Sequence, residues 1–203
     1  MCSGHIKIVV KDKNAMCKNL NLDNLFLEQI KNTKLSCKTK DPWIPSSKFI
    51  AVRSLSIDER GRNAQEFLQK VFHLGGYRTQ GDNEKTGNWD IKINNWRVEV
   101  KSATMDRAGK FQHESVHKTN DYDFIFFLDI APNEIYFSCC KYTDIPWDLL
   151  HERGNESKRD KRTTGAGFKW DVKYNEKDKR LPACHGCVEN VDDIISIFEK
   201  CNS

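Results

Sequence analysis

The sequence predicts an α/β fold, a mixed central sheet flanked by helices with additions at both ends of the chain. Three observations predict it. A hairpin pattern occupies residues 88–101, a capped amphipathic helix precedes it, and a near-continuous apolar run, Asp123–Ile130, follows it. Helix and strand patterns interleaved in this way suit one α/β core. The 203 residues suffice for one domain with a sizeable core, or for a domain with a small appendage.

Residues 1–50 read as an N-terminal subdomain or arm. A short strand is expected at Ile6–Val10, a helix near Asp23–Lys31, and a loop through Asp41-Pro42-Trp43-Ile44-Pro45. Nine basic residues against four acidic ones make this segment either an arm for an anionic partner or a solvated subdomain.

Residues 51–150 read as the core. Ser56-Ile57-Asp58-Glu59 is a capping box, with Ser56 as N-cap and Glu59 at N3. Ile57, Ala64, Phe67, Leu68 and Val71 form an apolar stripe at helical spacing, and Gly75-Gly76 ends the helix. Capping explains Glu59. Glu66 lies off the stripe, and nothing local explains it beyond a solvated surface position. Tyr77-Arg78-Thr79 starts a short strand, and residues 81–88 form a polar turn region. After the hairpin, residues 103–120 read as polar and irregular. Asp123–Ile130 suits a central strand buried on both faces. Glu134–Ser138 is a further strand, and Ile145–His151 a short helix with Pro146 in its first turn.

Residues 151–203 read as a basic, glycine-containing segment followed by a C-terminal helix at Val191–Lys200, capped by Asn190. Ten Lys and Arg stand against six Asp and Glu in residues 151–180, including the cluster Lys158, Arg159, Lys161 and Arg162. Gly165-Ala166-Gly167-Phe168-Lys169-Trp170 reads as a loop whose glycines admit a phosphate backbone, or as a merely solvated loop.

The hairpin carries the chemistry. Asn94-Asn95 is a two-residue turn, since Asn tolerates the positive φ of a type I′ turn. Ile93 then pairs with Trp96, Lys92 with Arg97, Ile91 with Val98, and Asp90 with Glu99. Trp89, Ile91, Ile93, Trp96, Val98 and Val100 face a core, and Asp90, Lys92, Arg97, Glu99 and Lys101 face away from it. A solvated face is the plain alternative. The directly opposed acids weigh against it, because carboxylates roughly 5 Å apart repel unless a cation lies between them. A hard divalent ion such as Mg²⁺ fits oxygen ligands of this kind.

Composition bounds the rest. Net charge is +4 and charged residues make up 31% of the chain. The pI is about 8.5 and mean hydropathy −0.70. This is compatible with a nucleic-acid partner but not diagnostic of one. No apolar run reaches 18 residues and the first ten residues hold no signal-peptide core, so no membrane is expected and a cytoplasmic location is. The eight cysteines are then reduced by default. Cys184-His185-Gly186-Cys187 is half of a zinc site without a second CxxC, and no zinc is assigned.

A helix with an inward Glu, a strand, Asp, a hairpin, Glu-x-Lys and a buried strand together resemble the PD-(D/E)xK nuclease family. That family includes type II restriction endonucleases, Holliday-junction resolvases and repair nucleases. The resemblance spans residues 56–140. Asp90 matches the motif's Asp, Glu99-Val100-Lys101 its (D/E)xK, and Glu66 the helical Glu; Trp89 stands in place of the motif's Pro. The resemblance implies a restriction-endonuclease-like core and Mg²⁺, with Mn²⁺ substituting. Asp90, Glu99, the Val100 carbonyl and Glu66 would ligate the metal, and Lys101 would act on the attacking water. Arg78, Lys110, Gln112, His113, Lys158, Arg159, Lys161, Arg162 and Lys169 would contact double-stranded DNA. His113 and His117, four apart, suit a helical metal pair less well than DNA contacts.

The small size and the basic segment after the core point within the family to a type II restriction enzyme. Such an enzyme acts as a homodimer beside a methyltransferase of the same specificity. A repair nuclease or resolvase is the nearest alternative. A non-catalytic DNA-binding module on the same fold, and an interaction protein stabilised by zinc at Cys184 and Cys187, are the alternatives of other classes.

Overall fold

The computed structural model describes residues 21–30, 43–81, 89–119, 121–153, 167–175 and 177–203. The strand expected at Ile6–Val10 and the cluster Lys158, Arg159, Lys161 and Arg162 lie outside them. Three helices are described, α1 (Leu22–Ile30), α2 (Ile57–Leu74) and α3 (Val191–Asn202). The strands are β1 (Thr79–Gly81), β2 (Ile91–Ile93), β3 (Trp96–Thr104), β4 (Phe111–His117), β5 (Phe124–Ile130), β6 (Ile135–Lys141), β7 (His151–Glu152), β8 (Gly167–Val172) and β9 (Cys184–Val188). The fold is mixed α/β. A six-stranded sheet runs β1-β2-β3-β5-β6-β9, and a three-stranded sheet runs β4-β8-β7. Among the described strands only β3 and β5 pair in parallel.

The central strand is β5, and all seven of its residues are buried. Alternation along it divides the core in two. Phe124, Phe126, Leu128 and Ile130 face α1, α2 and α3. Ile125 and Phe127 face the small sheet, where Phe111, Val116, Trp170 and Val172 cover them. Phe126 is the hub of the helical side, with ring centroids 5.5 Å from Phe72, 5.1 Å from Phe137 and 5.7 Å from Phe198. β9 and α3 come from the C-terminal segment and complete this same sheet and core.

The helix ends follow their caps. Ser56 Oγ accepts from the Glu59 N–H while the Glu59 carboxylate accepts from the Ser56 N–H. Asn190 and Asp193 form a second capping box at the start of α3. Gly76, just past the end of α2, holds φ +90°, which a side chain at that position would strain.

Several expectations are corrected. Residues 103–120 are not irregular, since β3 continues to Thr104 and β4 follows. The β4 pattern escapes detection because a bulge with Ser115 at φ 55° breaks its alternation. Gly167–Trp170 is not a loop but part of β8, and Trp170 is fully buried. In place of a helix at Ile145–His151 there is a 3₁₀ turn, Trp147–Leu149, before β7. Ile57, expected in the apolar stripe of α2, is 78% exposed, and Trp96 is 40% exposed.

Phe126→Ala removes the ring that Phe72, Phe124, Phe137 and Phe198 pack against. It is expected to cost about 3–5 kcal/mol, to be read as a shift in the urea midpoint at unchanged slope. A cost below 1 kcal/mol would show that the helical core collapses around the gap.

Candidate active site

The β2–β3 hairpin has the expected register, Ile91↔Val98, Lys92↔Arg97 and Ile93↔Trp96. Its turn differs in detail, since only Asn94 takes a positive φ, 53°. β2 covers just the first three residues of β3. Beyond them the ladder is continued by a side chain: Asp90 donates its N–H to Val98 O at 2.9 Å, and its Oδ2 accepts the Val100 N–H at 2.7 Å. Asp90 Oδ1 accepts from Gln65 Nε2 at 2.7 Å. The carboxylate is thereby held between α2 and β3.

The expected Asp90–Glu99 ladder pair does not form, but the Glu99 carboxylate, 8% exposed, is within hydrogen-bonding reach of that of Asp90. Its Oε1 is 2.5 Å from Lys101 Nζ. Burial pushes the Glu99 carboxyl up to about 7; the Lys101 ammonium pulls it down, and the hydrogen-bonded Asp90 carboxylate pushes it up. Burial, and then the Lys101 charge, also lower the pKa of His117 on β4. Asp90, Glu99 and Lys101 line a cleft of about 810 Å³. Its walls are the first turns of α2, the open edge of β3, and Gln112–Ser115 of β4.

Other expected residues are placed differently. Glu66 is exposed, hydrogen-bonded to Gln29 of α1, and does not line the cleft; Gln65 does. Asp58, Gly61, Arg62 and Gln65 form the cleft-facing row of α2 at i, i+3, i+4 and i+7. That polar row was the signal that could have found Gln65. His113 lines the floor of the cleft but is turned inward by β4. It is 2% exposed, 4.3 Å from the Phe127 ring and 3.2 Å from Asp129 Oδ1. With His113 on a strand, the helical His113–His117 pair does not form. Gln112 lines the cleft and donates to Asp106 Oδ2 at 3.0 Å. Lys110 is outside the lining, its N–H bound to Asp106 Oδ1. Arg78 is exposed at the far edge beside β1, and Lys169 is ion-paired with Asp171 at 3.1 Å. Arg53 and Arg60, which the sequence reading passed over, line the cleft.

The donor set defines what the cleft could hold. Among the described residues no group of three or more His, Cys, Asp or Glu side chains is arranged for a metal. The two carboxylates suit a hard divalent ion that fills its remaining positions with water, carbonyl and phosphate oxygens, as Mg²⁺ does. Cys184 and Cys187 lie three apart on β9, so alternation sends them to opposite faces, and Cys184 faces Cys139 across the ladder. Among the described residues no helix is long and apolar enough to cross a membrane.

No family model matches the chain, and no curated protein matches it. Among solved structures it is similar to a bacterial homing endonuclease, I-Ssp6803I, at 16% identity and a TM-score of 0.41. The match covers 63% of this chain and 83% of that one. A TM-score of that size fixes neither fold nor function.

The raised Glu99 carboxyl makes stability depend on pH. Its pKa is 4.5 in the unfolded chain and about 7 in the fold, so the folded state binds a proton that the unfolded state lacks between these values. This contribution is full below pH 4.5 and is lost as the pH rises through 7. Glu99→Gln is expected to remove this part of the slope in EDTA. At pH 8 it should melt a few degrees above the wild type, on the order of 1 kcal/mol. Melting curves between pH 5 and 8 with the wild-type slope retained would show that Glu99 titrates normally.

Proposed function

We propose that this chain is a Mg²⁺-dependent endonuclease hydrolysing phosphodiester bonds of double-stranded DNA. One observation carries the reading: two carboxylates within hydrogen-bonding reach, with an ammonium on one of them, at the side of an open cleft with arginines on its wall. A solvated strand face would have no reason to bury Glu99 against a second acid.

Asp90, Glu99 and the Val100 carbonyl would hold the ion, with Gln65 fixing the rotamer of Asp90. When bound, Mg²⁺ neutralises charge developing on the phosphate and acidifies water. Lys101 would donate to the attacking water and hold it in line with the scissile P–O bond, and the proton released would pass to solvent. The leaving oxygen would depart on the opposite side and be protonated by solvent. Glu66 has no part in this scheme, and the α2 contribution passes to Gln65.

The narrower form of the proposal is a type II restriction enzyme. Cutting both strands of a palindrome would then call for a homodimer, and host DNA would need a methyltransferase of the same specificity.

Purified protein incubated with phage-sized duplex DNA and Mg²⁺ tests the reading. Asp90→Ala and Lys101→Ala are expected to lose at least about 100-fold in rate. Gln65→Ala should lose rate while Glu66→Ala loses far less. Discrete bands would support the restriction enzyme, and a smear a repair or non-specific nuclease. DNA that is shifted but never cut would leave a binding module.

A further inference from the structure

Arg53 and Arg60 converge on one oxygen. Arg53 lies in the 3₁₀ helix Ile50–Ser54 and Arg60 in the first turn of α2. Their Nη1 atoms donate to Thr104 Oγ1 at 2.7 and 3.0 Å, at the last residue of β3. All three residues line the cleft. Two guanidinium groups on a single hydroxyl hold like charges at short range, which is unfavourable in a partly dry site. The strain registers on Arg60, whose pKa is lowered by burial first and by the Arg53 charge second. Among the described residues no carboxylate pairs with Arg60, and its hydrogen bond to Thr104 occupies one of five N–H donors.

A half-buried guanidinium with donors to spare, beside a second guanidinium and a hydroxyl, suits a doubly oxygenated anion gripped in bidentate fashion. At a strand rise of about 3.3 Å per residue, Thr104 lies roughly 16 Å along β3 from Glu99. Phosphates on one strand of a duplex advance about 3.4 Å along the axis per nucleotide. Thr104 points to the α2 face of β3 and Glu99 to the other, and the open edge of the strand joins both in one cleft, so a backbone laid along that edge would span them in about five nucleotides.

We propose that Arg60, with Arg53 and Thr104, forms a phosphodiester-binding site that anchors the DNA backbone beside the cleavage centre. It rests on the nuclease reading and identifies what would hold the substrate in register. Thr104 aims both guanidinium groups, so its role is positioning.

The test is binding of a fluorescent duplex in EDTA, where nothing is cut, titrated with NaCl. The variants are Arg60→Gln, Arg60→Lys, Thr104→Val and, as a control on the exposed surface of α3, Lys200→Gln. For Arg60→Gln, binding should weaken several-fold, and the slope of log K against log salt should fall by about 1. Arg60→Lys should keep the slope but not the full affinity, because an ammonium lacks the fork. Thr104→Val should weaken binding with an unchanged melting temperature, and Lys200→Gln should match the wild type. Should Arg60→Gln fail to fold, the affinities of Arg60→Lys and Thr104→Val decide. Wild-type slope and affinity in folded Arg60→Gln would overturn the site. A wild type that binds no duplex would instead overturn the DNA reading. In that case inorganic phosphate, raising the melting temperature of the wild type but not of Arg60→Gln, would reassign the site to free phosphate; no shift in either would end it.

Discussion

The N–H of Val100 has no strand beside it to accept its hydrogen bond, and the Asp90 carboxylate takes that place at 2.7 Å. Much of the cleft depends on this substitution. It ends the β2 ladder after three residues, leaves the rest of β3 open on one edge, and brings Asp90 into hydrogen-bonding reach of Glu99. The register of the hairpin is equally consequential. A slip of one residue would turn Glu99 and Lys101 into the helical core and bring Val98 and Val100 out toward the small sheet. Burying a carboxylate and an ammonium among Phe67, Phe72 and Phe126 is costly enough to forbid that slip.

The same geometry concentrates charge at two places in the cleft. Folding desolvates Glu99 and presses a second acid against it, and Lys101 offsets only part of the cost. At the other end Arg53 and Arg60 crowd one hydroxyl. The cleft thus has a negative focus and a positive one along a single strand. Under the proposed nuclease reading, the divalent cation would sit at the first and the DNA backbone at the second.

The hairpin, three of its four expected pairings and the closeness of Asp90, Glu99 and Lys101 were legible because a period of two and a two-residue turn leave one consistent register. The caps of α2 and α3 were legible because Ser56 with Glu59, and Asn190, are local chemistry. What failed was non-local. Whether His113 points at DNA or at Asp129 depends on which sheet covers β5, and the bulge at Ser115 hid β4 altogether. β8 looked like a loop because its glycine and lysine outweighed Phe168, Trp170 and Val172, which find their partners only across the fold. Glu66 and Gln65 are neighbours about 100° apart on a helix. An apolar stripe shows which way the core lies, but it does not show which flank borders the cleft.

β3 and β5 are parallel neighbours, and the chain between them passes through β4, in the other sheet. A parallel pair requires such a crossover, and closing it costs entropy before the pairing returns anything. Here the crossover is also a wall of the cleft. The segment that delays the central pairing is therefore the one that encloses Glu99 and Lys101. Without β4 the two carboxylates would keep α2 on one side and lose the wall on the other, so the cleft requires the crossover as much as the hairpin.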